Sequence, residues 1–420
     1  MKKGILAALT AAALAPAGAL ATTGYFSHGY GLKAKGMGGV GIALPQDALA
    51  PATNPAGLTM VGNRLDAGLD WFRPIRSAEI VGNGVPGVNG SYDGSGRKDF
   101  FIPEFGWSRS ISQNLAIGVA VYGNGGMNTR YNRSPFTGFG GTSPAGIDLI
   151  QLFVAPTVAY KLNANHSIGL SLNLAHQRFS ADGLNTFAGV SSSPANLTNR
   201  GDDSSNGWGA RIGWTGQISP SVTLGATYQT RTRMSRFKKY EGLFAEQGDF
   251  DIPENYGLGI ALKATPALTF AADVQQINYG KVKAVGNPVD CLFTIPAPSC
   301  TLGSNNGAGF GWRNTTVYKL GASYEVSKKL TLRGGYVTLK QPIPSSQTFF
   351  NVLAPGVVED HMTLGATWAL SNATELTVGY MHAFKKKVNG SGSIGAGFGG
   401  GNANIQMNQN SLGVAFGLKM

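Results

Sequence analysis

Arg211, Arg231, Lys319 and Arg333 each stand where apolar and small or polar residues alternate, on the small and polar side of the pattern. A guanidinium or ammonium held among such residues can orient a carboxylate through charge-assisted hydrogen bonds worth about 1.5–3 kcal/mol. Each can equally be the partner of an acid on its own face, where Asp273, Glu104 and Glu325 are available. Covalent chemistry has less to work with. The histidines His28, His166, His176, His361 and His382 have no recognisable nucleophile motif beside them, and such catalysis needs a base within reach of its nucleophile. Gly36-Met37-Gly38-Gly39-Val40-Gly41 satisfies the spacing of a dinucleotide-binding loop, but no apolar strand precedes it and Pro45 hinders a following helix. The only cysteines, Cys291 and Cys300, lie close together in a Pro-rich loop without a companion His or Cys for zinc. In an exported chain they read as a loop-closing disulfide worth about 2–3 kcal/mol of loop order. These residues imply neither an enzyme nor a cofactor or metal.

The elements that hold them have a period of two. Leu412, Val414, Phe416, Leu418 and Met420 share one face, with Gly413, Ala415, Gly417 and Lys419 on the other. The same alternation returns at Leu65 to Trp71, Leu115 to Val121, Ile168 to Leu174, Leu258 to Leu262 and Leu376 to Tyr380. An all-β fold follows, a transmembrane antiparallel β-barrel with apolar residues toward lipid and small or polar ones toward the lumen. Strand signals fall at 64–72, 100–108, 114–122, 150–161, 167–179, 206–217, 222–233, 253–263, 268–277, 314–326, 330–339, 360–370, 374–384 and 408–420, about fourteen in all and an even number. Alternate connections are short, as periplasmic turns are, and the others are long and rich in Gly, Ser, Asn and Pro. Within the strands every charged residue except Arg64 and Arg178 is expected to face inward: Asp66, Asp70, Glu104, Arg211, Arg231, Arg233, Lys263, Asp273, Lys319, Glu325, Arg333 and Glu375. An Arg turned to lipid at the midplane costs about 2–4 kcal/mol, so slipping a strand by one residue is heavily penalised. Trp71, Trp107, Tyr160, Trp208, Trp214, Tyr228, Tyr318, Tyr324, Trp368 and Tyr380 on the outward face suit aromatic girdles.

The opening of the chain fits export. Lys2 and Lys3, an apolar run from Ile5 to Leu14 and Ala19-Leu20-Ala21 read as a signal peptide over 1–21, cleaved near Ala21. No later segment reaches the roughly 18 apolar residues of a membrane helix, so an exported chain with this alternation is expected in the bacterial outer membrane. Residues 22–63 lack strand alternation and read as a plug, and 64–420 as the barrel. The formal charge is +12, or +10 without Lys2 and Lys3. Its cations cluster at Arg73 and Arg76, Arg236 to Lys239, Lys281 and Lys283, and Lys385 to Lys387. There they would meet outer-membrane lipid and lipopolysaccharide phosphates rather than nucleic acid.

The plug segment from Gly38 to Leu58, containing Asn54-Pro55-Ala56, resembles the N-terminal hatch of the FadL-type outer-membrane transporters of long-chain fatty acids and other hydrophobic compounds. Trp312-Arg313-Asn314-Thr315 leading into Leu320 to Tyr324, then Leu330 to Tyr336, with Pro342 and Pro344 following, continue the resemblance over nearly the whole mature chain. One departure is Met420, where such barrels commonly finish on an aromatic residue. The resemblance implies a passive monomeric channel for hydrophobic molecules, most readily long-chain fatty acids, gated by the hatch and releasing solute laterally through a kinked third strand. Gly123, Gly125 and Gly126 stand where that kink is expected, Asn54, Pro55 and Ala56 where the gate is, and Tyr25 and Phe26 where a mature N-terminus docks and leaves. A channel of the same family for aromatic or aliphatic hydrocarbons, and a general porin lined by Gly169, Ser171, Asn173, Gly225 and Thr227, are the alternatives.

Overall fold

The computed structural model describes residues 23–293 and 300–420. The expected signal peptide and its cleavage site lie outside the described residues. The alternation becomes sixteen strands: β1 (Arg64–Val81), β2 (Gly90–Asp93), β3 (Phe100–Ser110), β4 (Leu115–Asn128), β5 (Gly146–Lys161), β6 (His166–Asp182), β7 (Asp203–Ser219), β8 (Val222–Gln229), β9 (Arg233–Met234), β10 (Asn255–Lys263), β11 (Leu268–Ile277), β12 (Thr315–Ser327), β13 (Leu330–Leu339), β14 (Asp360–Ala369), β15 (Thr374–Val388) and β16 (Asn402–Lys419). Fourteen of them form a closed antiparallel wall, β2 and β9 being short additions to β1 and β7. Closure comes from β16 returning to β1 in one unbroken register, from Arg64 opposite Lys419 to Val81 opposite Asn402. Every wall strand expected from the alternation is present.

The pleat sorts side chains as the pattern requires. On β6, Leu170 is 51% exposed while Ser171 beside it is fully buried. An exterior of this kind is solvated by acyl chains, and aromatic rings cap it: Trp71, Tyr160, Trp208, Tyr228, Tyr318, Tyr324, Trp368 and Tyr380 are all exposed. At the long-loop end β1 and β16 run on well past their expected limits. Polar ladders zip these extensions, Gln406 Nε2 donating to Ser77 Oγ at 2.7 Å and Asn404 Nδ2 to Glu79 Oε2 at 3.0 Å. They therefore lack the apolar outward face by which a strand is read.

Several inward assignments are corrected. Arg64 shares a face with Asp66 and is buried, joined to both Asp66 and Glu375, because an inward carboxylate pair needs a cation. Lys263 and Glu325 lie exposed at the short-turn rim. β8 ends at Gln229, so Arg231 falls beyond it in an outer connection and Arg233 on the short added strand β9. Arg76, expected among the outer cations, is buried instead. The other loop cations are largely paired with acids, as in Lys281 with Glu254, Lys283 with Glu246, Lys386 with Glu359 and Lys387 with Glu79.

Candidate functional site

Residues 23–63 fill the bore, and bare wall backbone lets them lie close. A Cβ at Gly321 would come 2.4 Å from the Met37 carbonyl, and one at Gly213 would come 1.9 Å from Asn54 Oδ1, so glycine is required at both. Buried ion pairs fix this hatch: Lys35 Nζ lies 3.0 Å from Asp70 and 3.3 Å from Glu104, and Lys33 pairs with Glu375. Backbone donors add to the hold, Ala48 N–H to Asp66 at 2.8 Å and Gly41 N–H to Asp273 at 2.8 Å. Burial opposes the Lys35 charge, but Asp70 and Glu104 outweigh it and hold its pKa above the ordinary value. Burial, then the neighbouring Asp66, pushes the Asp47 carboxyl up to about 7.

Asn54 takes the extended conformation that a following proline favours and caps the turn Pro55–Gly57, its Oδ1 accepting from the Ala56 N–H at 3.1 Å. Its Nδ2 donates to the carbonyls of Ile42 at 2.7 Å and Trp214 at 3.0 Å. This motif sits against β6 and β7, while the next helical turn, Leu58–Val61, reaches β4.

A gap opens in the wall beside it. The β3–β4 ladder stops at Phe105 opposite Val121. Above that point β4 bulges at Asn124, between Gly123 opposite Leu152 and Gly125 opposite Gln151 on β5. The hatch N-terminus fills the missing strand position: Phe26 bridges Gly125, Ser27 N–H donates to the Asn124 carbonyl at 3.0 Å, and Gly126 N–H to the Tyr25 carbonyl at 2.9 Å. An added strand is the ordinary way to satisfy an exposed edge. A Cβ on Gly125 would stand 1.7 Å from the Tyr25 oxygen. Arg76 closes the gap from above, its Nη1 donating to Asn128 Oδ1 at 3.1 Å.

Between the outer loops and this gap runs a chain of aromatic rings. Phe398 and Phe349 lie 5.7 Å apart, Phe187 and Phe350 5.6 Å, and Phe350 and Phe310 5.1 Å. Asn351 links this cluster to Trp312, whose Nε1 donates to it at 2.6 Å. Trp312 then packs 5.8 Å from Tyr25, which lies 5.3 Å from Phe26 at the gap. Tyr279 Oη holds the turn at the end of the route, donating to the Thr23 carbonyl at 2.5 Å and accepting from the Tyr25 N–H at 3.2 Å. Tyr279 and the phenylalanines are not among the candidates the sequence offers, and Trp312 enters there only as part of a motif; aromatic residues crowded into long, otherwise polar loops are the signal that points to them. The disulfide Cys291–Cys300 ties the loop beside this cluster.

The four candidate cations separate. Arg231 is on the outer surface, 3.7 Å from Asp251. Arg333 is taken by the hatch, Nε donating to Gln46 Oε1 at 2.8 Å and Nη1 to Thr367 at 2.7 Å. Arg211 and Lys319 are buried in the lumen, within electrostatic reach of each other. Arg211 Nη1 donates to the Thr53 carbonyl at 3.0 Å, and Lys319 Nζ to Gln275 Oε1 at 3.1 Å. Around them Arg211 Nε, Gln229 Nε2, Asn255 Nδ2 and Tyr122 Oη have no partner among the described residues. Unmatched donors on Arg211 itself, Gln229, Asn255 and Tyr122, with Lys319 nearby and Asp273 beside it, make a buried polar cluster whose donors can meet an anion's oxygens.

A lipid-facing wall in which β16 returns to β1, a filled bore, and a line of aromatic rings from the outer loops to the break in the β3–β4 ladder are the features of an outer-membrane β-barrel channel for hydrophobic compounds. The chain belongs to the outer membrane protein transport protein family (OMPP1/FadL/TodX), whose sequence model matches residues 8–420. No curated protein matches the chain. The toluene transporter TodX of Pseudomonas putida has the same fold, with a TM-score of 0.71 at 18% identity over 95% of this chain and 100% of that one. A FadL homologue of Pseudomonas aeruginosa superposes with a TM-score of 0.70 at 14% identity over 94% and 99%. The toluene transporter TbuX of Ralstonia pickettii gives 0.64 at 18% identity over 94% and 99%.

Proposed function

We propose that the chain is a passive channel for long-chain fatty acids, which gather in the outer-loop aromatic cluster and leave sideways into the membrane at the β3–β4 gap once Tyr25 to Ser27 withdraw. The supporting observation is the cluster of buried, unmatched donors around Arg211 and Lys319. Buried donors without acceptors cost about 1–3 kcal/mol each, a cost a carboxylate removes and an uncharged hydrocarbon does not. Affinity comes mainly from the chain, at about 0.8 kcal/mol per buried methylene, so the cations orient an acid more than they retain it. Monoaromatic hydrocarbons are the second reading, favoured by the ring-lined route and by the toluene transporters that share the fold. In this reading residues 1–21 are removed, the mature protein is a monomer, and the outer cations left unpaired, such as Lys238, meet lipopolysaccharide. The test is uptake of labelled oleate and toluene by cells making the wild type or Arg211→Met. Loss of about tenfold for oleate with toluene within twofold is expected; equal losses would reject the carboxylate role, and no uptake of either above cells lacking the protein would reject transport.

A further inference from the structure

Asn124, the bulged residue at the gap, is tied to an outer loop by a line of buried side-chain amides. Its Nδ2 donates to Gln151 Oε1 at 2.8 Å, Gln151 Nε2 to Gln177 Oε1 at 2.8 Å, and Gln177 Nε2 to the Phe250 carbonyl at 2.9 Å. All three side chains are at most 1% exposed. The far end returns to the gap through rings: Phe250 packs 6.2 Å from Tyr25, whose carbonyl accepts from Gly126. Loop, amides, bulge and hatch N-terminus thus form a closed circuit, and an apolar molecule wedged between Phe250 and Tyr25 strains it on both sides. Hydrogen bonds in series within a dry interior reinforce one another, and breaking one leaves buried amide groups unmatched.

The geometry points to Gln151 and Gln177 as positioning residues that transmit occupancy of the outer-loop aromatic cluster to the gap. They act on the gap through Asn124, whose carbonyl receives Ser27 and whose Oδ1 accepts from Tyr30 Oη at 3.0 Å, and Gln151 also faces the Tyr25 hydroxyl. Coupling of this kind is reciprocal, so loosening the gap should loosen the hold on Phe250. The solute arm of the test below rests on reading the gap as an exit; the solute-free arm does not.

Amide hydrogen exchange on the purified full chain tests it. Gln177→Met and Gln151→Met keep side-chain length and remove the amides. Each should speed exchange at Ser27 and Gly126 about tenfold, with Gly335 on β13 unchanged. The double variant should do no more than the stronger single, as links in series require. Should either variant fail to give the heat-resistant folded band on gels, Gln177→Asn, polar but one methylene shorter, replaces it. Unchanged rates at Ser27 and Gly126, or effects that multiply in the double variant, would overturn the proposal. In the second arm, oleate or toluene should speed Gly126 exchange in the wild type, while Gln177→Met binds the same probe within threefold and shows no response. An equal response in both proteins would also overturn it. Failure of both probes to bind would count against the channel reading alone, because the first arm still decides the relay.

Discussion

Placing one methyl group at Gly125 should leave the wall intact and unseat the hatch N-terminus. The Gly125→Ala side chain would lie 1.7 Å from the Tyr25 carbonyl and 3.1 Å from the Phe26 Cα. Both belong to backbone, so the segment cannot evade it by turning a rotamer. What gives way is the pair of hydrogen bonds that dock the segment, Gly126 N–H to Tyr25 and Ser27 N–H to Asn124. At about 1 kcal/mol each, their loss costs about 2 kcal/mol and lowers occupancy of the seam roughly 30-fold relative to the released state. The β4–β5 ladder, on the other edge of the strand, is untouched. Planar-bilayer conductance and uptake of a neutral apolar dye should therefore both rise at least severalfold. Exchange at the Gly126 amide should rise with them, while the folded band on gels keeps its wild-type melting temperature. Wild-type exchange and wild-type leak in Gly125→Ala would refute the assignment of Tyr25 to Ser27 as the closure of the gap.

Two further outcomes follow from the hatch. Lys35→Met strands Asp70 and Glu104 in the bore, a loss of about 3–5 kcal/mol for a broken buried pair, and should raise ion conductance through the barrel by loosening the plug; conductance equal to wild type would show that backbone contacts alone hold it. Asp47 titrates near 7 when docked, above its value in a released hatch. The docked form therefore binds the proton more tightly, so docking should weaken as pH rises from about 4 to about 7 and level off above that. Leak measured at pH 5 and pH 8 should show that slope in the wild type and a flatter one in Asp47→Asn.

The wall was legible because lipid on one side and small residues on the other enforce alternation wherever a strand crosses the bilayer, as from Ile168 to Leu174. Where the strands leave the bilayer the constraint lapses, so the run Asn402 to Met407 reads as loop although it is paired throughout with β1. Arg76 was misplaced for the same reason: β1 carries it onward as strand, inside the rim. Arg231 was misplaced in the opposite sense, because β8 stops early and the chain after it pairs back on Gly207 and Trp208. The glycines at 123, 125 and 126 marked the bulge but not its partner. What fills the seam arrives from residues 25–27, a hundred positions away, and no local period records such a meeting. The aromatic route is hidden likewise, since Tyr25, Tyr279 and Trp312 come together only through the closure of the barrel.

That closure has a consequence for how the molecule is assembled. Arg64 on the first wall strand and Glu375 on β15 reach one another across β16, and Lys33 of the hatch completes the cluster. Joining the first and last strands with the hatch still outside would leave Glu375 with Arg64 and the exposed Lys419 but without Lys33, and losing a buried partner of this kind costs several kcal/mol. The stopper and the final stitch of the cylinder are thus parts of one cooperative event, and the end of the chain that leaves the ribosome first is what the last strand must wait for.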